Sequence, residues 1–192
     1  MNIETFQNKY SEITNLVQLE FERNLDIHGS KIKCCKGCFQ CCYQIFNITL
    51  IDEFRIKQYI NSLPEEEKNI LKSKAKDYLE NQETYGISKD EFTQKNRLPC
   101  PALSELGACK IYDGRPLICR RFGPPIYDYK NPTTIHACEL NFKTGEEIID
   151  NDLIHNQSII GKVWDSFKTE FNEQFEKNVT TSTTIAEAIL NS

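Results

Sequence analysis

Cysteine is the residue whose number and spacing could do chemistry in this chain: nine occur in 192 residues. Five fall in one string, Cys34-Cys35-Lys36-Gly37-Cys38-Phe39-Gln40-Cys41-Cys42. Thiolates at Cys-x-x-Cys spacing can converge on one ion, because a turn brings the two sulfurs together and aims backbone N–H groups at them. Cys35, Cys38 and Cys41 repeat that spacing, and Cys42 adds a neighbour whose side chain points apart from Cys41 in extended backbone. A second set follows at Cys100, Cys109, Cys119 and Cys138. Together the two sets offer eight candidate thiolates, enough to saturate two four-ligand sites. Scattered cysteines usually act as small buried hydrophobes, but five within nine residues argue otherwise. Cys34 lies outside the spacing and reads as a bystander.

The spacing leaves the metal open. Cys35, Cys38 and Cys41 completed by the remote Cys100-Pro101 reproduce the ligand pattern of ferredoxin-type iron–sulfur sites, so a [4Fe-4S] cluster is one candidate. Zinc accepts the same sulfurs, and four thiolates around it leave no open position, which makes such a site structural.

The surrounding composition supports reduced cysteines. No apolar run approaches the roughly 18–20 residues that span a bilayer, and Met1-Asn2-Ile3-Glu4-Thr5 lacks the basic start of a secretory signal. A cytoplasmic location is expected, where stable disulfides are rare. An odd number of cysteines also forbids complete internal pairing. Lys plus Arg is 23 against 28 for Asp plus Glu, a net charge of −5. That balance argues against nucleic acid as a partner, since phosphate binding needs clustered positive charge.

The elements that must position the cysteines are mostly helical. Ile3, Phe6, Tyr10, Ile13 and Val17 recur at three- and four-residue steps and predict an amphipathic helix to about Leu25, closed by Gly29 and Ser30. Thr49 reads as an N-cap, with Asp52 and Glu53 in the first turn and Leu50, Phe54 and Leu63 along the helix. Pro64 fits the first position of a further helix. That helix carries Glu65, Glu66 and Glu67 at its positive end, Lys72, Lys74 and Lys76 further on, and a stop at Gly86. From Arg97 to Pro125 the chain reads as loops, with a tight turn at Asp113-Gly114 and a short helix begun by Pro116. Trp164, Phe167, Phe171 and Phe175 form one stripe, read as a core face with a partner-binding face as the alternative. Thr184 and Glu187 make a capping box for a last short helix. The expected architecture is a mostly α single domain, 1–192. Its parts are an N-terminal helix (1–30), a central irregular cysteine-rich metal-binding core (31–140) and C-terminal helices (141–192).

Cys35-x-x-Cys38-x-x-Cys41-Cys42, Cys100-Pro101-x-Leu103, Gly107-x-Cys109-x-Ile111-Tyr112, Arg115-Pro116 and Cys119-Arg120-x-Phe122 together resemble the YkgJ-like cysteine-cluster family, a zinc- or iron-chelating domain. The resemblance runs from about Cys35 to Cys138. It implies that Cys35, Cys38, Cys41, Cys42, Cys100, Cys109, Cys119 and Cys138 are metal ligands. Similar domains within flagellin lysine N-methylases, which use S-adenosylmethionine and are associated with an iron–sulfur cluster, imply a second, enzymatic reading. No glycine-rich strand-to-helix turn is present to hold such a methyl donor in a Rossmann-like way.

Other candidates have plainer readings. Arg115, Arg120 and Arg121 could offset thiolate charge or bind an anionic ligand; in the plainer reading Arg120 hydrogen-bonds loop carbonyls and Arg121 is solvated. Tyr112 reads as packing a small core rather than relaying protons or electrons. His136, two residues before Cys138, is an alternative ligand, and His28 reads as part of a helix end. The function expected is metal binding, of zinc or an iron–sulfur cluster, through two groups of thiolates. The alternatives are an iron–sulfur enzyme, redox or protein (lysine) methyltransferase-like, and metal storage or trafficking.

Overall fold

The structure is a computed structural model that describes residues 2–84, 98–143, 145–175 and 182–192. Its elements, in order, are α1 (Ile3–His28), β1 (Asn47–Ile48), α2 (Leu50–Asn61), α3 (Glu65–Thr84), α4 (Leu117–Arg121), β2 (Ile126–Tyr127), β3 (Ile135–His136), α5 (Leu153–Phe175), β4 (Thr183–Thr184) and α6 (Ile185–Leu190). The protein is mostly α, with irregular backbone around the cysteines. No described helix is long and apolar enough to cross a membrane. Two compact units form: Met1–Cys35 with Cys119–Asn178, and Lys36–Ile118 with Val179–Ser192.

The first unit is built on the seam between α1 and α5. Asn2 caps α1 by accepting from the Thr5 N–H at 2.8 Å. Phe6, Tyr10, Ile13 and Val17 are buried at helical spacing, whereas Ile3, expected in the same stripe, is 62% exposed. Phe6 meets Phe167 at 5.5 Å and Phe171 at 6.0 Å between ring centroids, and Tyr10 meets Trp164 edge-on at 6.3 Å. The aromatic stripe of α5 is therefore a core face within this unit. Beyond Val17 the buried face of α1 turns polar, through Glu20, Asn24 and His28. Arg23 forks between the Glu20 and Asp150 carboxylates at 2.7 to 2.9 Å. The helix runs three residues past its expected end and closes at Gly29, which takes φ 49 and donates its N–H to the Leu25 carbonyl. β2 and β3 pair antiparallel, Ile126 with His136 and Tyr127 with Ile135.

The second unit packs α6 against both α2 and α3. Ile185, Ala186, Ala188 and Ile189 of α6 are buried, and Thr184 with Glu187 forms the expected capping box. β4 delivers α6 by pairing antiparallel with β1. The buried side chains of α2 are Ile51, Asp52, Ile56 and Ile60. Leu50 and Phe54 are half-buried on the same helix, and Leu63 lies two residues beyond its end. Pro64 sits one residue before α3, its carbonyl accepting from Lys68 N–H at 3.1 Å. The stop at Gly86 lies outside the described residues. The turn at Asp113-Gly114 is one turn of 3₁₀ helix, Tyr112–Gly114, seated on α2. A Cβ at Gly114 would stand 2.5 Å from Tyr59, so the close approach needs glycine.

Candidate metal centre

In the second unit a tight turn and a hairpin bring distant cysteines together. Gly37, at φ 90, precedes a turn of 3₁₀ helix over Gln40–Tyr43 that presents Cys41 and Cys42 side by side. The Cys42 carbonyl then accepts the Cys100 N–H at 2.7 Å, tying the motif to a segment 58 residues further on. From Cys100 the chain turns back on itself: Leu103 bridges Cys109, and Lys110 N–H reaches the Ala102 carbonyl at 2.8 Å. Gly107, at φ 76, closes the hairpin under the Phe39 ring, where any Cβ would come within 2.7 Å. A residue of the cysteine motif thus packs on the hairpin that carries Cys109.

The electrostatics of these sulfurs are mutual. The Cys42 thiol donates to Cys41, and this bond, the Cys41 N–H and the Arg115 guanidinium bring Cys41 below the usual thiol range, against the effect of burial. Cys42 is correspondingly driven up by its bond to Cys41, by burial, and by the charges of Cys41, Cys100 and Cys109. Burial pushes the Cys100 thiol up to about 12, reinforced by Cys109 and Cys41, while the N–H groups of Ala102 and Leu103 aimed at its sulfur pull the other way. Cys41, Cys42, Cys100 and Cys109 are therefore within electrostatic reach of one another, and ionising one opposes ionising the next. Tyr78 of α3 feels the same group: burial and the Cys100 charge raise its hydroxyl to about 12. Burial and the Asp113 and Cys109 charges raise Tyr59 of α2 likewise.

Cys38 belongs to this unit and is exposed, as is Cys35 at the end of the first unit's opening segment. Cys119, on α4, and the buried Cys138 belong to the first unit. There Cys138 donates its N–H to the Gly123 carbonyl at 3.0 Å. The described residues include all nine cysteines, and no disulfide forms among them. No three His, Cys, Asp or Glu side chains among the described residues converge closely enough to form a ligand set. The fit to zinc or iron rests on donor chemistry: clustered soft sulfurs, mutually repelling when ionised, with backbone N–H groups directed at Cys100.

The remaining candidates divide. Tyr112 does not pack a core: it is exposed, with the Arg115 guanidinium stacked 3.9 Å from its ring centroid. Arg121 is not solvated but half-buried, donating to Gln157 Oε1 at 3.1 Å. His136 is exposed on β3, its ring nitrogen 3.2 Å from Thr134 Oγ1. His28 is buried, its ring edge-on to Phe142. Asn141 drew no attention in the sequence, and only its position among three distant segments reveals it. It is buried and bonded to Lys33 and Gly123, which lie 108 and 18 residues away.

No curated protein and no solved structure matches the chain. A family model, CxxCxxCC, described as "putative zinc- or iron-chelating domain", matches residues 33–139, a span that holds all nine cysteines. With more than half of its length matched, the chain belongs to the CxxCxxCC family.

Proposed function

We propose that this protein holds zinc or an iron–sulfur cluster through its cysteine thiolates, with Cys41, Cys42, Cys100 and Cys109 acting as one group. The observation that supports it best is the backbone that draws these residues together: the Cys100 N–H bonds the Cys42 carbonyl at 2.7 Å, the hairpin pairing Leu103 with Cys109 brings Cys109 back, Cys42 bonds Cys41, and Cys42 and Cys100 each feel charges of the group. A cation supplies the charge that lets such a group deprotonate together, and its binding releases protons and contributes folding free energy. Cys35, Cys38, Cys119 and Cys138 complete the proposed ligands. Four thiolates on zinc leave no open position and make the ion structural; a redox role requires iron with sulfide.

Anaerobic purification with elemental analysis, inorganic sulfide determination and a visible spectrum tests the reading. Zinc at one or two per chain without colour, or iron with matching sulfide and visible absorption, is the expected result. Cys100→Ser is expected to lower that content. A chain that stays metal-free after loading with either metal under reducing conditions ends the proposal.

A further inference from the structure

We propose that a cleft in the first unit, between α1, α5 and the stretch Arg121–Ile126, binds a small neutral molecule that carries both a hydrogen-bond donor and an acceptor, in its simplest form a primary carboxamide. The cleft spans about 260 Å³ with its mouth. Glu20, Asn24, Arg121 and Gln157 form its polar lining, and Phe21 and Pro124 are among its apolar walls.

Two of the polar side chains are already saturated. Glu20 accepts from Arg23 at 2.7 Å on each oxygen, and from Asn24, Asn156 and Gln157 amides at 3.0 to 3.4 Å. Gln157 Oε1 accepts from Arg121 Nη2 at 3.1 Å and from the Tyr127 N–H at 2.9 Å, while its Nε2 donates to the Pro125 carbonyl at 2.8 Å. The other two are not saturated. Asn24, 1% exposed, commits its Nδ2 to the Glu20 carbonyl at 2.8 Å and to the Glu20 carboxylate, which fixes the orientation of the amide. Its Oδ1 is buried and meets no partner among the described residues. The bonds of Arg121 to described residues, to Gln157 Oε1 and to the Tyr127 carbonyl at 3.5 Å, both leave from Nη2, so Nε and Nη1 remain as donors.

A buried acceptor without a donor costs free energy that a ligand's N–H restores. Charge selects the ligand. Glu20 lines the cleft as a carboxylate and opposes an anion; Arg121 lines it as a guanidinium and opposes a cation. A neutral amide meets neither objection: its carbonyl accepts from Arg121, its NH₂ donates to Asn24 Oδ1, and its apolar remainder lies against Phe21 and Pro124. A few polar groups that fix orientation within apolar walls are the usual make-up of a small-molecule site. No cysteine lines the cleft, so this inference and the metal reading stand or fall separately.

The test titrates the full ¹⁵N-labelled chain, purified under reducing conditions, with isobutyramide, isobutyrate and isobutylamine, which share a branched carbon skeleton and differ in charge. Isobutyramide is expected to bind weakly but saturably, at least tenfold tighter than either ion. Its shifts are expected at the Asn24 and Gln157 side-chain amides and at the Phe21 and Ile126 backbone N–H groups. Asn24→Leu, which keeps the volume and removes the acceptor, is expected to weaken isobutyramide about tenfold. Tighter binding of either ion, saturable shifts that map elsewhere, unchanged affinity in folded Asn24→Leu, or no saturable shift with any of the three overturns the inference. If Asn24→Leu does not fold, the ranking of the three probes and the map of shifts in wild type decide alone.

Discussion

His28 ends α1, 5% exposed, with its Nε2 buried and meeting no hydrogen-bond partner among the described residues. Burial lowers its affinity for a proton from the ordinary value of 6.5; Asp150 opposes this, and Lys31 and Arg23 add to it. The folded state therefore binds this proton less readily than the unfolded chain. Stability contributed by neutral His28 is complete above pH 6.5 and is lost as pH falls towards the folded-state value, at no more than about 1.4 kcal/mol per pH unit. Thermal melts between pH 7.5 and 5.5 should show a falling Tm in wild type and a shallower fall in His28→Phe, which keeps a ring against Phe142. Equal slopes would remove His28 as the cause. At this scale the motif cysteines were legible, because Cys-x-x-Cys is a local pattern. The burial of His28, the exposure of Tyr112 and the contact of Cys34 with Gly123 were not, since each is decided by residues distant in sequence or by the packing of the finished fold.

Among the elements, α2 shows how one carboxylate can start two helices. Asp52, 3% exposed, accepts from Thr49 Oγ1 at 2.8 Å and from Thr49 N–H at 3.2 Å, completing the capping box of its own helix. Its other oxygen accepts the Leu117 N–H at 2.8 Å, at the first residue of α4. Asp52→Ala leaves the Thr49 N-cap in place but removes the carboxylate that accepts from Thr49 N–H and Oγ1, at about 0.5–1.5 kcal/mol. It also leaves a buried N–H unsatisfied, at about 1–3 kcal/mol. We expect a combined loss of roughly 2–4 kcal/mol by chemical denaturation, larger than the ~1 kcal/mol expected for Thr184→Ala, which removes only the α6 cap. Equal losses in the two variants would show that the bond to Leu117 contributes nothing. Thr49 and Thr184 were readable as caps because a capping box spans four residues. The tie from Asp52 to Leu117 spans 65 residues and has no local signature. The same contrast separates α1 and α5, whose aromatic stripes are periodic and strong, from α2, whose buried face is selected by α6.

In the molecule as a whole, both units are assembled from segments far apart in the chain, and their division falls after Cys35, inside the first Cys-x-x-Cys spacing. No periodicity marks such a division, because it is set by which long-range contacts close. The consequence is an uneven dependence on metal. The α1–α5 seam is closed by Phe6, Tyr10, Trp164, Phe167 and Phe171, an apolar contact that owes nothing to the cysteines. The Gln40–Tyr43 turn and the hairpin from Cys100 to Lys110 are held by a few backbone bonds, glycines at positive φ and half-buried thiols that repel one another when ionised. Such segments open at low free-energy cost unless a bound ion holds the sulfurs. Chelation of the metal-loaded protein should therefore raise amide hydrogen exchange in 38–43 and 100–110 by tenfold or more. Protection of α1 over Phe6–Val17 and of α5 over Ile160–Phe171 should stay within about twofold. Loss of protection in α1 and α5 to the same extent would mean that the metal holds the aromatic seam as well, and that the two parts of the fold do not differ in their need for it.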